Sequence, residues 1–264
     1  MSFIACLHFR ISQRPSCQWL LHKRRRLLFP YVGRKSSSCV VQAHLELIKI
    51  CGITCKEDAS MVCEAIEKRK QKKPYDAIRF LLGVIFCSTS KRNVSLESAS
   101  QIVETVGHFG NAQVVGVFVY QDASSIISIC QQTGISIAQL HGDGSRRSLR
   151  ILPGWIESIP VLSVHHDGSF DSDLLEQWQL KSWILFDSPG GGTGKTFSWD
   201  NFQPPQHLRW ILAGGICTDN IQSALNMLSP PGIDISSGVC QPNGIRKCPE
   251  LVGRFLDLCV QPMS

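Results

Sequence analysis

Two side chains suited to proton transfer follow short apolar runs of the sequence. Cys51 comes directly after residues 47–50, and Asp187 comes directly after residues 183–186. A thiol with a tuned pKa can abstract a proton or act as a nucleophile. A carboxyl group partly removed from water has a raised pKa and can act as a general acid near neutral pH. The structural alternatives are a small buried apolar residue for Cys51 and a loop anchor for Asp187.

Two glycine-containing segments follow the last two apolar runs. The first contains Gly214 and Gly215, and the second contains Ser236, Ser237 and Gly238. In barrel enzymes the backbone N–H groups of such loops, with a helix N-terminus, commonly bind phosphate. Tight turns between a strand and a helix are the alternative. Because the two clusters come on consecutive runs, together they predict a phosphorylated ligand.

Further polar side chains could hold a second anionic group. Lys91 and Arg92 follow the second apolar run, and Gln139, His141 and Asp143 surround the end of the fourth. An arginine can bind a carboxylate through two parallel hydrogen bonds. Charged residues on a solvated loop are the alternative explanation.

Two patterns that could indicate a nucleotide or a metal are incomplete. Residues 194–196, Gly-Lys-Thr, match the end of the pattern G-x-x-x-x-G-K-[ST], but Pro189 occupies its first glycine position. The segment 189–196 therefore indicates a mobile lid with a cation at its tip rather than a nucleoside triphosphatase. His165 and His166 have no third ligand at a telling spacing, so we expect no metal site.

Beyond residue 46, β-rich apolar runs alternate with stretches of helical periodicity. This alternation is typical of a parallel sheet covered by helices, and eight strands in about 220 residues fit a closed barrel. We therefore predict a single-domain (β/α)8 TIM barrel over residues 46–264. An open doubly wound sheet is the alternative, but barrels are the fold that builds sites from the loops after successive strands. The predicted strands span residues 47–50, 82–86, 114–119, 135–140, 159–164, 183–186, 209–213 and 233–236.

Capping residues predict where three of the helices begin. Thr54 with Glu57, and Asp219 with Gln222, are spaced as capping boxes, in which two side chains satisfy the first free N–H groups of a helix. Ser95 is predicted to cap the helix after the second strand, because a serine oxygen accepts a hydrogen bond from the helix N-terminus.

The first 45 residues differ in charge from the rest of the chain. They contain eight basic residues and no acid, whereas the whole chain has 27 Lys and Arg and 21 Asp and Glu. The remainder is close to neutral, which argues against nucleic-acid binding by the folded body. An acid-free segment rich in arginine and serine is typical of an organelle transit peptide, and its apolar runs are too short to span a bilayer. A disordered basic tail and an RNA-binding arm are the alternatives.

Seven short motifs occur in the body in a characteristic order. They are Lys-Ile-Cys-Gly-Ile-Thr, Ser-Lys-Arg, Val-Gly-Val-Phe, Gln-Leu-His-Gly-Asp, Gly-Gly-Thr-Gly-Lys-Thr-Phe-Ser-Trp, Leu-Ala-Gly-Gly-Ile and Ile-Asp-Ile-Ser-Ser-Gly-Val. With these motifs the region from about residue 47 to about residue 258 resembles the phosphoribosylanthranilate isomerases of tryptophan biosynthesis.

The resemblance implies a cofactor-free Amadori rearrangement. N-(5-phosphoribosyl)anthranilate would become 1-(2-carboxyphenylamino)-1-deoxyribulose 5-phosphate, with Cys51 as general base and Asp187 as general acid. Arg92 matches the arginine that helps hold the anthranilate end. The implied substrate-binding residues are Arg92, Gln139, His141, Gly214, Gly215, Asp234, Ser236, Ser237 and Gly238.

The resemblance also implies a location and a set of partners. Members with such an N-terminal extension are typical of plants, so residues 1–45 are expected to be a chloroplast transit peptide, with a mitochondrial one as the weaker alternative. We expect a small-molecule substrate, no nucleic-acid or membrane partner, and a monomer or homodimer. Residues 68–81 depart from the family in being longer and more basic, which leaves the start of the second strand open.

Three other functions are weighed against this one. Indole-glycerol-phosphate synthase uses a lysine-centred site, and the aminoaldose isomerase of histidine synthesis uses paired aspartates, one of them on the first strand. Here Lys49 lies inside the first strand and Cys51 takes the position at its end, which disfavours both. The third is a catalytically silent barrel that binds a phosphorylated metabolite.

Overall fold

The computed structural model describes residues 45–71, 75–176, 178, 183–188, 196–204 and 208–261, all within one compact unit, Val40–Ser264. The strands are β1 (Leu47–Cys51), β2 (Arg79–Phe86), β3 (Gln113–Phe118), β4 (Ile137–Leu140), β5 (Glu157–Ser163), β6 (Ile184–Asp187), β7 (Trp210–Leu212) and β8 (Gly232–Ile235). The α-helices are α1 (Lys56–Lys70), α2 (Leu96–Phe109), α3 (Ala123–Thr133), α4 (Asp143–Arg146), α5 (Ser172–Glu176), α6 (Ile221–Leu228) and α7 (Pro249–Val260). Short 3-10 helices span Tyr75–Ala77 and Arg147–Arg150.

The eight strands are parallel, pair in chain order and close on themselves, because β8 pairs with β1. The predicted (β/α)8 TIM barrel is confirmed, and the open doubly wound alternative is wrong. Closure leaves no free strand edge, and it brings the carboxyl ends of all strands to one end of the barrel, called here the carboxyl rim. No helix in the described part of the chain is long and apolar enough to cross a bilayer.

Alternate residues of each strand point into the barrel, while the others pack against the helices. On β1, Leu47 belongs to the buried interior cluster, so Lys49 and Cys51 point the same way, one and two steps closer to the carboxyl rim. The interior cluster consists of Leu47, Leu81, Val115, Ile137, Ile159, Val161, Trp183, Leu185, Ile211 and Ala213.

Strand β2 begins at Arg79, earlier than the predicted residue 82. Its guanidinium group donates from Nη1 and Nη2 to the two carboxylate oxygens of Glu157, at 2.8 and 2.7 Å, and from Nε to Gln113 at 2.9 Å. A charged residue can start this strand because its donors are satisfied at the opposite end of the barrel, called here the amino rim. The last three residues of the basic segment 68–81 therefore belong to β2.

Ser95 caps α2 as predicted, since its hydroxyl oxygen accepts a hydrogen bond from the N–H of Ser98 at 3.1 Å. Both predicted capping boxes are wrong. Helix α1 is preceded by Cys55 and α6 by Asn220, and neither has a side-chain cap.

Polar side chains at the starts of these two helices bind neighbouring loops. Asp58, in the first turn of α1, accepts hydrogen bonds from Arg246 Nε at 2.9 Å and from the N–H of Lys247 at 3.0 Å. Asn220 accepts from the N–H of Cys217 at 2.8 Å and donates to the carbonyl oxygen of Gly215 at 2.9 Å. The polar side chains at both helix starts therefore stabilise the loops of the carboxyl rim.

Candidate active site

A cavity of about 290 Å³ opens at the carboxyl rim. It is lined by both predicted catalytic residues and by all but one of the predicted substrate-binding residues. Those lining it are Cys51, Asp187, Arg92, Gln139, His141, Gly214, Gly215, Asp234, Ser236 and Ser237. Gly238 lies just outside, in a parallel bridge with Cys217 that joins the loops after β7 and β8.

The thiol of Cys51 lies next to a buried ammonium group. Lys49 is fully buried, and its Nζ donates to Asp234 Oδ2 at 3.0 Å. Burial opposes the charged form of Lys49, but the Asp234 carboxylate and the Cys51 thiol together raise its pKa. Lys49 therefore stays an ammonium ion at neutral pH, in contact with the candidate base.

Burial raises the pKa of the Cys51 thiol, and the nearby Lys49 ammonium acts against that shift. A buried thiol is harder to ionise because the thiolate loses its solvation. The thiolate is consequently the minor form at neutral pH in the free protein, and Lys49 is the main group that favours it.

Asp187 stands at the end of β6 and is buried. Burial raises the pKa of Asp187 to about 6, against the opposing effects of the Ser188 backbone N–H and the Lys49 ammonium. The Nε2 atom of His141 lies 3.6 Å from Asp187 Oδ2. Burial, reinforced by Lys49, lowers the pKa of His141, which favours the neutral imidazole beside Asp187. The carboxyl group can thus give up a proton close to neutral pH.

Several buried polar atoms around the cavity have no hydrogen-bond partner within the described part of the chain. They include Gln139 Oε1, Asp234 Oδ1 and Arg92 Nε. An unpaired buried polar group costs about 1–3 kcal/mol, and such groups are rare in native proteins. Two unpaired acceptors and one donor therefore fit a polar ligand that carries hydroxyl and anionic groups.

Arg92 is held across the mouth of the cavity. Its Nη1 donates to the carbonyl oxygen of Gly244 at 2.8 Å, and its side chain packs over Gly52. Gly52 has φ +76°, and a Cβ there would lie 2.6 Å from Arg92 Cδ. Only glycine allows both this backbone conformation and this close approach, so the turn after β1 and the guanidinium group depend on each other.

The loops after β7 and β8 meet beside the cavity. Gly214 has φ +88°, and a Cβ there would lie 2.5 Å from Ser188 Oγ, so this loop folds tightly over the end of β6. The bridge between Cys217 and Gly238 then joins it to the loop carrying Ser236 and Ser237. Gly214, Gly215, Ser236, Ser237 and Gly238, which the sequence predicts to bind phosphate, are called here the phosphate loops.

Two functional candidates were missed by the sequence analysis. Lys49 was placed inside β1, and its alternation with Leu47 and Cys51 was the signal that it faces the interior. Lys247 is 1% exposed, and its Nζ donates to the carbonyl oxygen of Cys51 at 2.7 Å. No sequence pattern pointed to that contact, because it depends on the path of the loop after β8.

Other expectations fall elsewhere. The predicted lid at 189–196 lies outside the described residues except for Thr196, which is exposed. In the described segments, no group of three or more His, Cys, Asp or Glu side chains could hold a metal ion.

Comparison with known proteins gives consistent matches. The family model described as N-(5'phosphoribosyl)anthranilate (PRA) isomerase matches residues 48–257. The chain is 37% identical to N-(5'-phosphoribosyl)anthranilate isomerase 1, chloroplastic, of Arabidopsis thaliana over 214 residues, which is 80% of this chain and 73% of that protein. It is 38% identical to N-(5'-phosphoribosyl)anthranilate isomerase of Chlamydia felis over 213 residues, which is 79% and 94% of the two chains.

Solved structures agree with the sequence matches. Phosphoribosyl anthranilate isomerase from Thermotoga maritima superposes with a TM-score of 0.67 at 28% identity, covering 81% of this chain and 98% of that one. A phosphoribosyl anthranilate isomerase in complex with reduced 1-(o-carboxyphenylamino)-1-deoxyribulose 5-phosphate gives a TM-score of 0.63 at 25% identity, with the same coverage. The chain therefore belongs to the N-(5'-phosphoribosyl)anthranilate isomerase family.

Proposed function

We propose that this chain isomerises N-(5'-phosphoribosyl)anthranilate to 1-(2-carboxyphenylamino)-1-deoxyribulose 5-phosphate in tryptophan biosynthesis, with Asp187 as the acid and Cys51 as the base. The observation that carries the proposal is that both side chains line one cavity at the carboxyl rim, where burial holds the pKa of Asp187 at about 6. Family membership supports the same reaction.

Asp187 begins the reaction by opening the furanose ring. Its protonated carboxyl gives a proton to the ring oxygen, the bond from that oxygen to C1 breaks, and the anthranilate nitrogen supplies the electron pair for the C1–N double bond. Because the pKa of Asp187 is raised to about 6, a larger fraction of this carboxyl is protonated near neutral pH than of a water-exposed aspartate.

Cys51 completes the rearrangement. Its thiolate takes the proton from C2, and the electrons of that C–H bond neutralise the iminium ion and leave an enolamine. The enolamine tautomerises to the ketone as C1 gains a proton and the C2 hydroxyl loses one. The thiol and the carboxylate then exchange protons with solvent to restore the starting forms, so no proton is gained or lost overall. Lys49 stabilises the thiolate in this step.

The remaining cavity residues are assigned to substrate binding. Arg92 holds the anthranilate carboxylate, because a guanidinium group matches a carboxylate with two parallel hydrogen bonds. The phosphate loops bind the phosphate through backbone N–H groups. Gln139, His141 and Asp234 bind the ribose hydroxyls, with Gln139 Oε1 and Asp234 Oδ1 as acceptors that no described residue contacts by a hydrogen bond.

We further propose that residues 1–45 are a chloroplast transit peptide ahead of the barrel domain at 46–264. The acid-free composition supports it, as do the chloroplastic names of the relatives from Arabidopsis thaliana. Fluorescent protein fused after residue 45 should reach plastids in plant cells. Accumulation in mitochondria or the cytosol would contradict this assignment.

Turnover tests the reaction itself. Substrate generated in the cuvette from anthranilate and phosphoribosyl pyrophosphate by a separate transferase is fluorescent, and its conversion by the full chain should remove that fluorescence. Asp187→Asn should abolish the loss while keeping substrate binding. Wild-type protein that binds the substrate and leaves it unconverted would instead be a silent phosphate-binding barrel.

A further inference from the structure

A buried lysine outside the reaction scheme holds the end of the strand that carries Cys51. Lys247, in the loop between β8 and α7, donates from Nζ to the carbonyl oxygen of Cys51 at 2.7 Å and of Ser236 at 3.0 Å. Its third neighbour is Cys240 Sγ at 3.3 Å. An ammonium group has three N–H donors, and here each one meets an acceptor.

Lys247 contacts β1 and the segment after β8 just beyond the last paired residues of the two strands. The register of β1 with β8 ends at Ile50 and Ile235. The next carbonyl on each strand, Cys51 on one and Ser236 on the other, turns to Lys247 Nζ instead. One side chain thus continues the junction between β1 and β8 by one residue, up to the point where the site begins.

The loop that carries Lys247 is anchored on both sides. Asp58 on α1 accepts from the N–H of Lys247 at 3.0 Å and from Arg246 Nε at 2.9 Å. The same loop supplies the Gly244 carbonyl oxygen that holds Arg92. Lys247 therefore cannot shift without disturbing the contacts around it.

The charge at this position has a cost. Burial lowers the pKa of Lys247, which reflects the cost of taking an ammonium group out of water. None of its three acceptors is a carboxylate. An apolar side chain of similar volume would avoid the desolvation, but it would leave the carbonyl oxygens of Cys51 and Ser236 without this donor. What the ammonium group adds is therefore its contact with these two carbonyl oxygens.

We propose that Lys247 is a positioning residue for Cys51, whose ammonium group joins the carbonyl oxygens of Cys51 and Ser236 and so fixes the thiol relative to the phosphate loops. The inference rests on the proposed role of Cys51 as the base. Substrate bound by its phosphate then presents C2 to a thiol at a set distance. A displacement of about 1 Å between reacting groups can lower a rate on the order of 100-fold.

Lys247→Met in the full chain tests the proposal, because methionine keeps the length and volume of the side chain without its donors. We expect kcat to fall on the order of 10- to 100-fold, while KM changes less than about threefold because the Cys217–Gly238 bridge keeps the phosphate loops together. Tyr75→Phe is the stability control, since it removes the buried hydrogen bond to the Leu256 carbonyl oxygen away from the cavity. It should lower Tm and leave kcat unchanged.

Chemical rescue separates positioning from folding. Lys247→Ala should regain kcat as ethylammonium is added and not with tetramethylammonium, which has no N–H donor. If either variant is insoluble, Asp58→Ala is measured instead. This substitution releases the loop that carries Lys247 from α1, so it should also lower kcat.

Two outcomes would overturn the inference. One is Lys247→Met, folded and assayed well below its Tm, with a kcat within twofold of wild type. The other is a loss of kcat in Lys247→Ala that ethylammonium does not reverse. Cys51→Ala is measured in parallel. Undiminished turnover by that variant would overturn the proposed function itself. Turnover that is lost in Cys51→Ala and kept in Lys247→Met would overturn only the positioning role.

Discussion

The two ends of the barrel each contain an ion pair, but they differ in what is left unpaired. At the amino rim, Arg79 donates to both carboxylate oxygens of Glu157 and to Gln113. At the carboxyl rim, Lys49 donates to one oxygen of Asp234, and Asp234 Oδ1 has no hydrogen-bond partner among the described residues.

This difference separates stability from function within one architecture. Paired polar atoms at the amino rim stabilise the closed barrel and offer nothing to a ligand. Unpaired buried atoms at the carboxyl rim destabilise the free protein, but they can form hydrogen bonds with a polar substrate when it binds. Local violations of the rules for folding are expected at functional sites, and four of the six unpaired buried side-chain atoms among the described residues, those of Arg92, Gln139, Ser188 and Asp234, lie at the carboxyl rim.

The largest expected effect comes from removing the acid or the base. Cys51→Ala and Asp187→Asn should each lower kcat at least 10³-fold, equivalent to about 4 kcal/mol of transition-state stabilisation. Stability should not fall in Asp187→Asn at pH 8. The folded-state pKa of Asp187 is raised to about 6 from 3.8, so ionisation of this carboxyl opposes folding as the pH rises through that range. Steady-state kinetics and thermal melts at pH 5 and 8 measure both effects.

A matched pair of glutamines sharpens the comparison. Gln139 Oε1 at the carboxyl rim has no partner in the described part of the chain, so Gln139→Leu should raise KM about tenfold and raise stability by about 1 kcal/mol. Gln113 at the amino rim accepts from Arg79 Nε, so Gln113→Leu should lower stability slightly and leave KM unchanged. Denaturant unfolding and steady-state kinetics compare the two variants. Equal shifts in KM would contradict the claim that only the carboxyl rim binds the substrate.

The smallest effect is expected at the amino-rim ion pair. Glu157→Gln should lower the free energy of unfolding by about 1 kcal/mol or less, because the side chains of Arg79 and Glu157 are each 29% exposed and water screens the pair. Turnover should stay at the wild-type level. A marked loss of kcat in this variant would show that the amino rim also contributes to catalysis.

The sequence predicted the barrel because its signals are local. Eight apolar runs, the stretches of helical periodicity between them and the glycines after β7 and β8 all act through the nearest part of the chain. Cys51 and Asp187 could be found for the same reason, since each comes at the end of an apolar run.

The missed features depend on contacts between distant parts of the chain. The capping boxes at Thr54 and Asp219 were wrong because α1 and α6 begin after Cys55 and Asn220, one residue later than predicted, and neither residue caps its helix with its side chain. Lys49 was missed because an apolar run hides a charged residue whose partner lies on β8, and Lys247 because its partner is a backbone carbonyl 196 residues away in the chain. Burial also raises the pKa of Cys51, and the sequence alone does not show the surroundings that cause this shift.

The dependence of kcat/KM on pH tests the central claim most directly, because the acid and the base must be in opposite forms. With Asp187 at a pKa of about 6 and the Cys51 pKa above the ordinary thiol value of 9.0, the fraction of protonated Asp187 falls with pH as the thiolate fraction rises. Their product is constant between the two pKa values, so kcat/KM should be flat from about pH 6 to above pH 9 and should fall on both sides. A kcat/KM that rises steadily with pH through this range would show that Asp187 is not the proton donor and would contradict the account.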